Sequence, residues 1–229
     1  MADTEASIGY GITFEMADIA TPTDFTYIQE IKDVTPPSEE TDQADASHMQ
    51  SPNRTREFID GLTDPGEASF EMNYVPGSAS DKALIAAKGK RKWCRLTFPN
   101  GVQTLFIGIR QTYEKSAPLD DVMTATVTFK VSGDPVHTDP TAPRNISAPV
   151  ITGTPKVGAP LVVDPGIWAG AERLEFQWKA ADAEIIGATG LSYVPVTGDI
   201  GDTITCEVTA QNDDFETTVA SAATAAVVA

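Results

Sequence analysis

Residues 95–106 read Arg95-Leu96-Thr97-Phe98-Pro99-Asn100-Gly101-Val102-Gln103-Thr104-Leu105-Phe106. Asn-Gly between two runs rich in β-branched and aromatic residues is a strong hairpin signal. Both central positions of a tight two-residue turn need positive φ, and the backbone twist of such a turn matches that of the strands it joins. A hairpin here predicts a β-rich surrounding.

Working outward, the runs Gly11 to Met16, Phe25 to Val34, Ala68 to Tyr74, Lys92 to Phe98, Val102 to Tyr113 and Asp121 to Val131 have strand composition. In the last run Val122, Thr124, Thr126 and Thr128 fall opposite Met123, Ala125, Val127 and Phe129, giving one polar and one apolar face, as in a half-buried strand. One helix is expected over Ser80 to Lys88. Ser78 or Ser80 can cap it, Asp81 suits its positive end, and Gly89 offers a left-handed stop. Leu84, Ile85 and Ala87 should face the sheet. The stretch Thr35 to Asp60 is polar, holds three prolines and has no apolar period, and reads as a long functional or disordered loop.

The second half has a different rhythm. Val150 to Gly153, Ala159 to Val163, Glu175 to Ala180, Leu191 to Pro195, Thr203 to Ala210 and Thr217 to Val228 are short strand candidates separated by Gly, Pro and Asp, which describes a small sandwich. Between the halves, Pro140, Pro143 and Pro149 sit among small polar residues. Proline removes ladder donors and holds its predecessor extended, so a semi-rigid linker crossed by few contacts is expected. The expected organisation is residues 1–137, a linker over 138–149, and residues 150–229.

Composition narrows the function. The chain has 229 residues and a formal charge of −17, with nearly all its Lys and Arg in the first half. Such a charge repels polyanions, since affinity for DNA comes mainly from cations that neutralise phosphates, so tight nucleic-acid binding is not expected. No stretch is apolar enough to insert in a membrane, and Met1 to Tyr10 lacks a basic segment followed by an apolar run, so no secretion signal is expected. Cys94 and Cys206 lie in different halves and read as buried thiols.

Residue types that carry chemistry are sparse. His48 and His137 have no Cys or carboxylate at metal-ligand spacing, and Glu39-Glu40 and Asp120-Asp121 read as solvated charge, so neither catalysis, a metal nor a cofactor is expected. The basic run Lys88, Lys90, Arg91, Lys92 and Arg95 matches no phosphate loop and reads as a solvated face or as a contact with an acidic surface of another copy.

The succession Ile31-Lys32-Asp33-Val34-Thr35-Pro36, a long polar loop, Phe70-Glu71-Met72-Asn73-Tyr74-Val75-Pro76-Gly77, a helix, Leu96-Thr97-Phe98-Pro99-Asn100-Gly101 and Phe106-Ile107-Gly108 resembles the major tail tube proteins of long, non-contractile phage tails, over about residues 5–136. The resemblance implies a mainly β fold, a sandwich or barrel-like domain of packed sheets with one flanking helix. It also implies a non-enzymatic virion protein, assembled in the host cytoplasm, whose six-membered rings stack into a tube that DNA leaves through without tight binding. Implied partners are further copies of the chain, the tape measure and the tail terminator. The inter-ring role of the family's long loop falls by resemblance on Thr35, Pro36, Pro37, Glu39, Glu40, Asp42, Asp45, Asn53, Arg54 and Arg56.

The second half resembles a bacterial or phage immunoglobulin-like domain through Gly166-Ile167-Trp168, Phe176-Gln177-Trp178-Lys179 and Asp199-Ile200-Gly201-Asp202-Thr203-Ile204-Thr205-Cys206. The resemblance implies a core of Trp168, Phe176, Trp178 and Cys206 without a disulfide, since Leu161 or Val163 stands where the partner cysteine would be. An outward-facing decoration domain with weak host-surface contact follows from that resemblance. The alternative is a surface adhesion or carbohydrate-binding module.

Overall fold

The computed structural model describes residues 9–229, so most of the segment read for a secretion signal lies outside the described residues. The described residues form two compact units, one of residues 14–96 and 104–137, the other of residues 9–13, 97–103 and 138–229.

The first unit is built on an eight-stranded sheet. Its strands are β1 (Thr13–Asp18), β2 (Thr26–Ile28), β3 (Ile31–Thr35), β6 (Glu67–Asn73), β7 (Arg91–Thr97), β8 (Gln103–Ser116), β9 (Thr124–Val131) and β10 (Val136–His137); β4 (Glu40–Asp45) and β5 (Phe58–Asp64) pair separately. The sheet runs β2-β1-β7-β8-β9-β6-β3, with β10 on β8. Its two edge strands, β2 and β3, are joined by only Gln29 and Glu30. Three residue steps span roughly 10 Å, so the edges must lie close together and the sheet must wrap toward a barrel. Ring contacts agree. Phe14 on β1 lies 4.8 Å from Phe70 on β6 and 5.6 Å from Phe129 on β9, although three strands separate β1 from β6 in the sheet.

Helix α1 (Ala79–Ala86) covers the junction of the two edges. Ser78 caps it by accepting from Asp81 N, and Ser80 Oγ accepts from Gln29 N at 2.9 Å. Leu84 and Ala87 are buried as expected, but Ile85 is exposed. Adjacent helix positions are rotated by about 100°, so with Leu84 facing the sheet its neighbour Ile85 turns to solvent. At the helix start Asp81 accepts from Gly77 N, Tyr113 Oη and Lys115 Nζ. The Gly77 amide, then Lys115 and Tyr113, hold its carboxyl below the usual Asp range against the cost of burial. The stability it lends is therefore complete above the ordinary Asp pKa and is lost as the pH falls through the lowered folded value.

The second unit is a two-layer sandwich. One sheet is β16 (Ala183–Glu184), β15 (Arg173–Ala180), β18 (Ile204–Gln211) and β19 (Glu216–Ala220), in that order; the other is β12 (Val150–Thr152), β13 (Leu161–Asp164) and β17 (Ser192–Tyr193). A third pair joins β11 (Arg144–Ser147) to β14 (Ile167–Ala169), so part of the stretch read as linker is a strand. Trp178 on β15 is fully buried against Leu161 and Val163 of the facing sheet and against Ile204, Cys206, Val208 and Val227. Its indole Nε1 donates to Gly190 O at 2.8 Å, so the one polar atom of the side chain is satisfied inside the core. Trp168 is buried and Phe176 half-buried against the same cluster. Both cysteines are free and buried.

Candidate assembly surfaces

The long polar segment is not the loop its composition suggests. Glu40–Asp45 and Phe58–Asp64 pair antiparallel, from Glu40 opposite Asp64 to Asp45 opposite Phe58, with a bulge between Thr41 and Gln43. Every residue of both strands is exposed. A strand normally forms because one face is buried, and a lone two-stranded ribbon is at best marginally stable in water. The contacts that support this arm lie at its surface, among them Lys130 Nζ on β9, which donates to Asp64 at the end of β5. Thr41 and Thr63 share a hydrogen bond of 2.9 Å, and the connecting loop is organised around Glu57, whose carboxylate accepts from Ser51 Oγ at 2.7 Å and whose amide donates to Ser47 Oγ at 2.9 Å.

The predicted loop residues all fall on or beside this arm. Thr35, Pro36, Pro37 and Glu39 lead into it; Glu40, Asp42 and Asp45 lie on β4. Asn53 and Arg54 sit at the tip with φ of 55° and 59°, and Arg56 lies 3.8 Å from Asp45. Sequence reading missed the apolar members. Phe58, Ile59 and Leu62 on β5 and Met49 in the tip loop are exposed, Leu62 by 85%. These side chains have no partner surface within the arm, since every residue of both strands is exposed. The signal was in the sequence as Phe58-Ile59-Asp60-Gly61-Leu62, beyond the prolines that made the segment read as a loop.

The basic run divides. Lys92 is turned to Asp18 at 2.5 Å, and Arg95 to Glu15 at 2.9 Å, with Glu15 almost wholly buried and the Phe25 ring 3.9 Å beneath the guanidinium. Both cations are engaged by acids of their own unit, Arg95 by the buried Glu15 and Lys92 by the largely exposed Asp18. Lys88, Lys90 and Arg91 stay exposed at the end of α1 and the start of β7. Replacing Arg95 by Met is expected to destabilise the first unit by about 3–5 kcal/mol, because the charge opposite a buried carboxylate is lost. The double change Glu15→Leu with Arg95→Met should recover most of that. Urea unfolding of the parent and the two variants checks this; an Arg95→Met protein as stable as the parent would contradict the buried pair.

His137 Nδ1 lies 3.0 Å from Thr104 Oγ1, and His48 Nδ1 accepts from Gln50 N. Among the described residues no three His, Cys, Asp or Glu side chains gather as a metal would require, and no helix is long and apolar enough to cross a membrane.

The family model described as lambda phage tail tube protein matches residues 10–138, more than half of the chain. The chain belongs to the lambda phage tail tube protein family. Its first unit thus has the role the family name states, a structural component of a phage tail tube. Among solved structures, the chain is similar to a protein of the tail of an empty gene transfer agent particle, solved by helical refinement with C6 symmetry. That match has 13% identity and a TM-score of 0.50, and covers 58% of this chain and all of that one. It is also similar to the tail tube protein of phage SPP1, at 13% identity and a TM-score of 0.46, over 57% of this chain and 77% of that one. No protein with a curated description matches the chain.

Proposed function

We propose that copies of this chain close into six-membered rings that stack into the tail tube of a long, non-contractile phage tail, assembled in the host cytoplasm, and that the β4–β5 arm carries the contact between successive rings. The observation that carries this reading is the arm itself, a ribbon with no buried face of its own and with Phe58, Ile59 and Leu62 open to solvent. A second copy is its natural cover, since a repeating contact of one surface with another on the same molecule propagates without end. Lys88, Lys90 and Arg91 supply a positive patch on an otherwise acidic protein and fit an acidic surface of a neighbouring copy.

In this reading the tape measure and the tail terminator are the other partners in the tail. An acidic wall lets DNA slide past during ejection instead of adhering. The sandwich unit is an immunoglobulin-like decoration domain facing outward, where it makes weak contact with the host surface. Its strand order supports that assignment. β12, β13 and β17 take the places of A, B and E in one sheet, and β15, β18 and β19 those of C, F and G in the other, with Trp178 on the C-like strand and Cys206 opposite it on the F-like one.

Substituting Asp for Ile59 or for Leu62 tests the arm at single-residue resolution. Because both side chains are exposed, the monomer should keep its melting temperature, whereas pelleting of tubes by ultracentrifugation should fall at least about ten-fold when a charge is buried in the contact. Undiminished pelleting by both variants would remove the arm from the interface.

A further inference from the structure

The turn Phe98–Gly101 belongs to the same compact unit as the C-terminal sandwich, and the hydrogen bonds inside that unit show how it is held. Gly101 has φ of 83° and is buried. A Cβ there would stand 2.2 Å from Thr141 O and 2.8 Å from Asn212 Nδ2, so only glycine fits. Its carbonyl accepts two bonds from one residue, Thr141 N at 3.1 Å and Thr141 Oγ1 at 2.8 Å. Gln103 adds three more to the same strap: its Nε2 donates to Thr141 Oγ1, its N to Thr138 Oγ1, and its O accepts from Thr138 N.

Asn212 closes the arrangement from the sandwich side. It follows β18 and is only 3% exposed. Its Nδ2 donates to Thr141 O at 2.9 Å and to Gly170 O at 3.1 Å, while its Oδ1 accepts from the amides of Asp214 and Phe215. A side-chain amide can make four such bonds, and all four are made. Gly170, also at positive φ, lies so close to the turn that a Cβ on it would stand 3.0 Å from Gly101 Cα. A buried amide saturated on both ends and flanked by two glycines in close approach is the construction of a fixed joint, because freeing any member leaves buried polar groups unpaired.

We propose that Asn212 is a latch that locks the turn Phe98–Gly101 and the strap 138–141 onto the sandwich, so that this proline-bearing stretch is a fastened part of that unit. This inference is independent of the assembly reading above. It makes the upstream hairpin tip an integral part of the C-terminal unit, and it means that a disturbance of the tip frees the strap while the Trp178 core stays packed.

Amide hydrogen exchange of the full chain tests it. In the parent protein the Thr138 and Thr141 amides should exchange at least about a hundred-fold slower than unstructured peptide, as latched backbone requires. In Asn212→Ala, and separately in Gly101→Ala, exchange at those two amides should rise by roughly ten-fold or more while the Trp178 and Cys206 amides in the core stay protected. Peptide-like exchange of Thr138 and Thr141 in the parent would overturn the proposal, and so would unchanged exchange in both variants. If Asn212→Ala also loosens the core, slow exchange in the parent together with faster strap exchange in Gly101→Ala still bears the latch out.

Discussion

Trp178→Ala is expected to unfold the C-terminal sandwich. The side chain is fully buried, reaches both sheets and donates its only polar hydrogen to Gly190 O. Truncating such a residue costs on the order of 3–5 kcal/mol in lost transfer energy and residual cavity. The deleted ring also strands the Gly190 carbonyl. A unit of this size has a total stability of roughly 5–10 kcal/mol, and here no disulfide adds to it. The core of the first unit, with Phe14, Phe70 and Phe129 in mutual contact, shares no residue with the Trp178 cluster, so tube assembly should persist. Limited proteolysis and tryptophan fluorescence report on the sandwich, and electron microscopy on the tube. A protease-resistant sandwich in this variant would mean that Trp178 is not its anchor.

Removing the arm should have the opposite outcome, a folded protein that forms no tubes. The arm can be excised cleanly. At its base Ser38 and Gly66 are so close that a Cβ on Gly66 would stand 2.0 Å from Ser38 O, and a Gly-Ser pair can therefore replace residues 40–64. Within the described first unit the excision removes the Lys130–Asp64 pair, which lies in solvent and contributes little to stability. Circular dichroism and melting should stay close to those of the parent. Tubes of normal length and yield from the excised protein would show that the rings are joined elsewhere.

The way these elements could be read from the sequence follows burial. The hairpin between β7 and β8 and the half-buried strand through Ala125, Val127 and Phe129 were legible because turn chemistry and two-residue alternation are local. The turn is not the two-residue Asn-Gly turn expected, however: it runs from Phe98 to Gly101, and only Gly101 takes positive φ. The helix and its Ser78 cap were legible for the same reason, and the sheet face of Ile85 was not, since eight residues with two flanking cap candidates leave the helix phase open. The arm strands escaped because alternation is written by burial, and Glu-Thr-Asp-Gln-Ala-Asp has no buried face to write it. The fate of Lys92 and Arg95 was invisible for another reason: their acids lie 74 and 80 residues away in sequence. The Asn212 joint likewise depends on a turn more than a hundred residues upstream, and nothing near Asn212 in the chain announces it.

Cryo-electron microscopy of the purified full-length protein tests the central claim most directly. The account predicts hollow tubes of stacked six-membered rings in which density for Glu40–Asp64 reaches from each ring onto the next, with the sandwich on the outer surface. Monodisperse single chains would contradict it, as would tubes in which the arm touches no neighbouring ring.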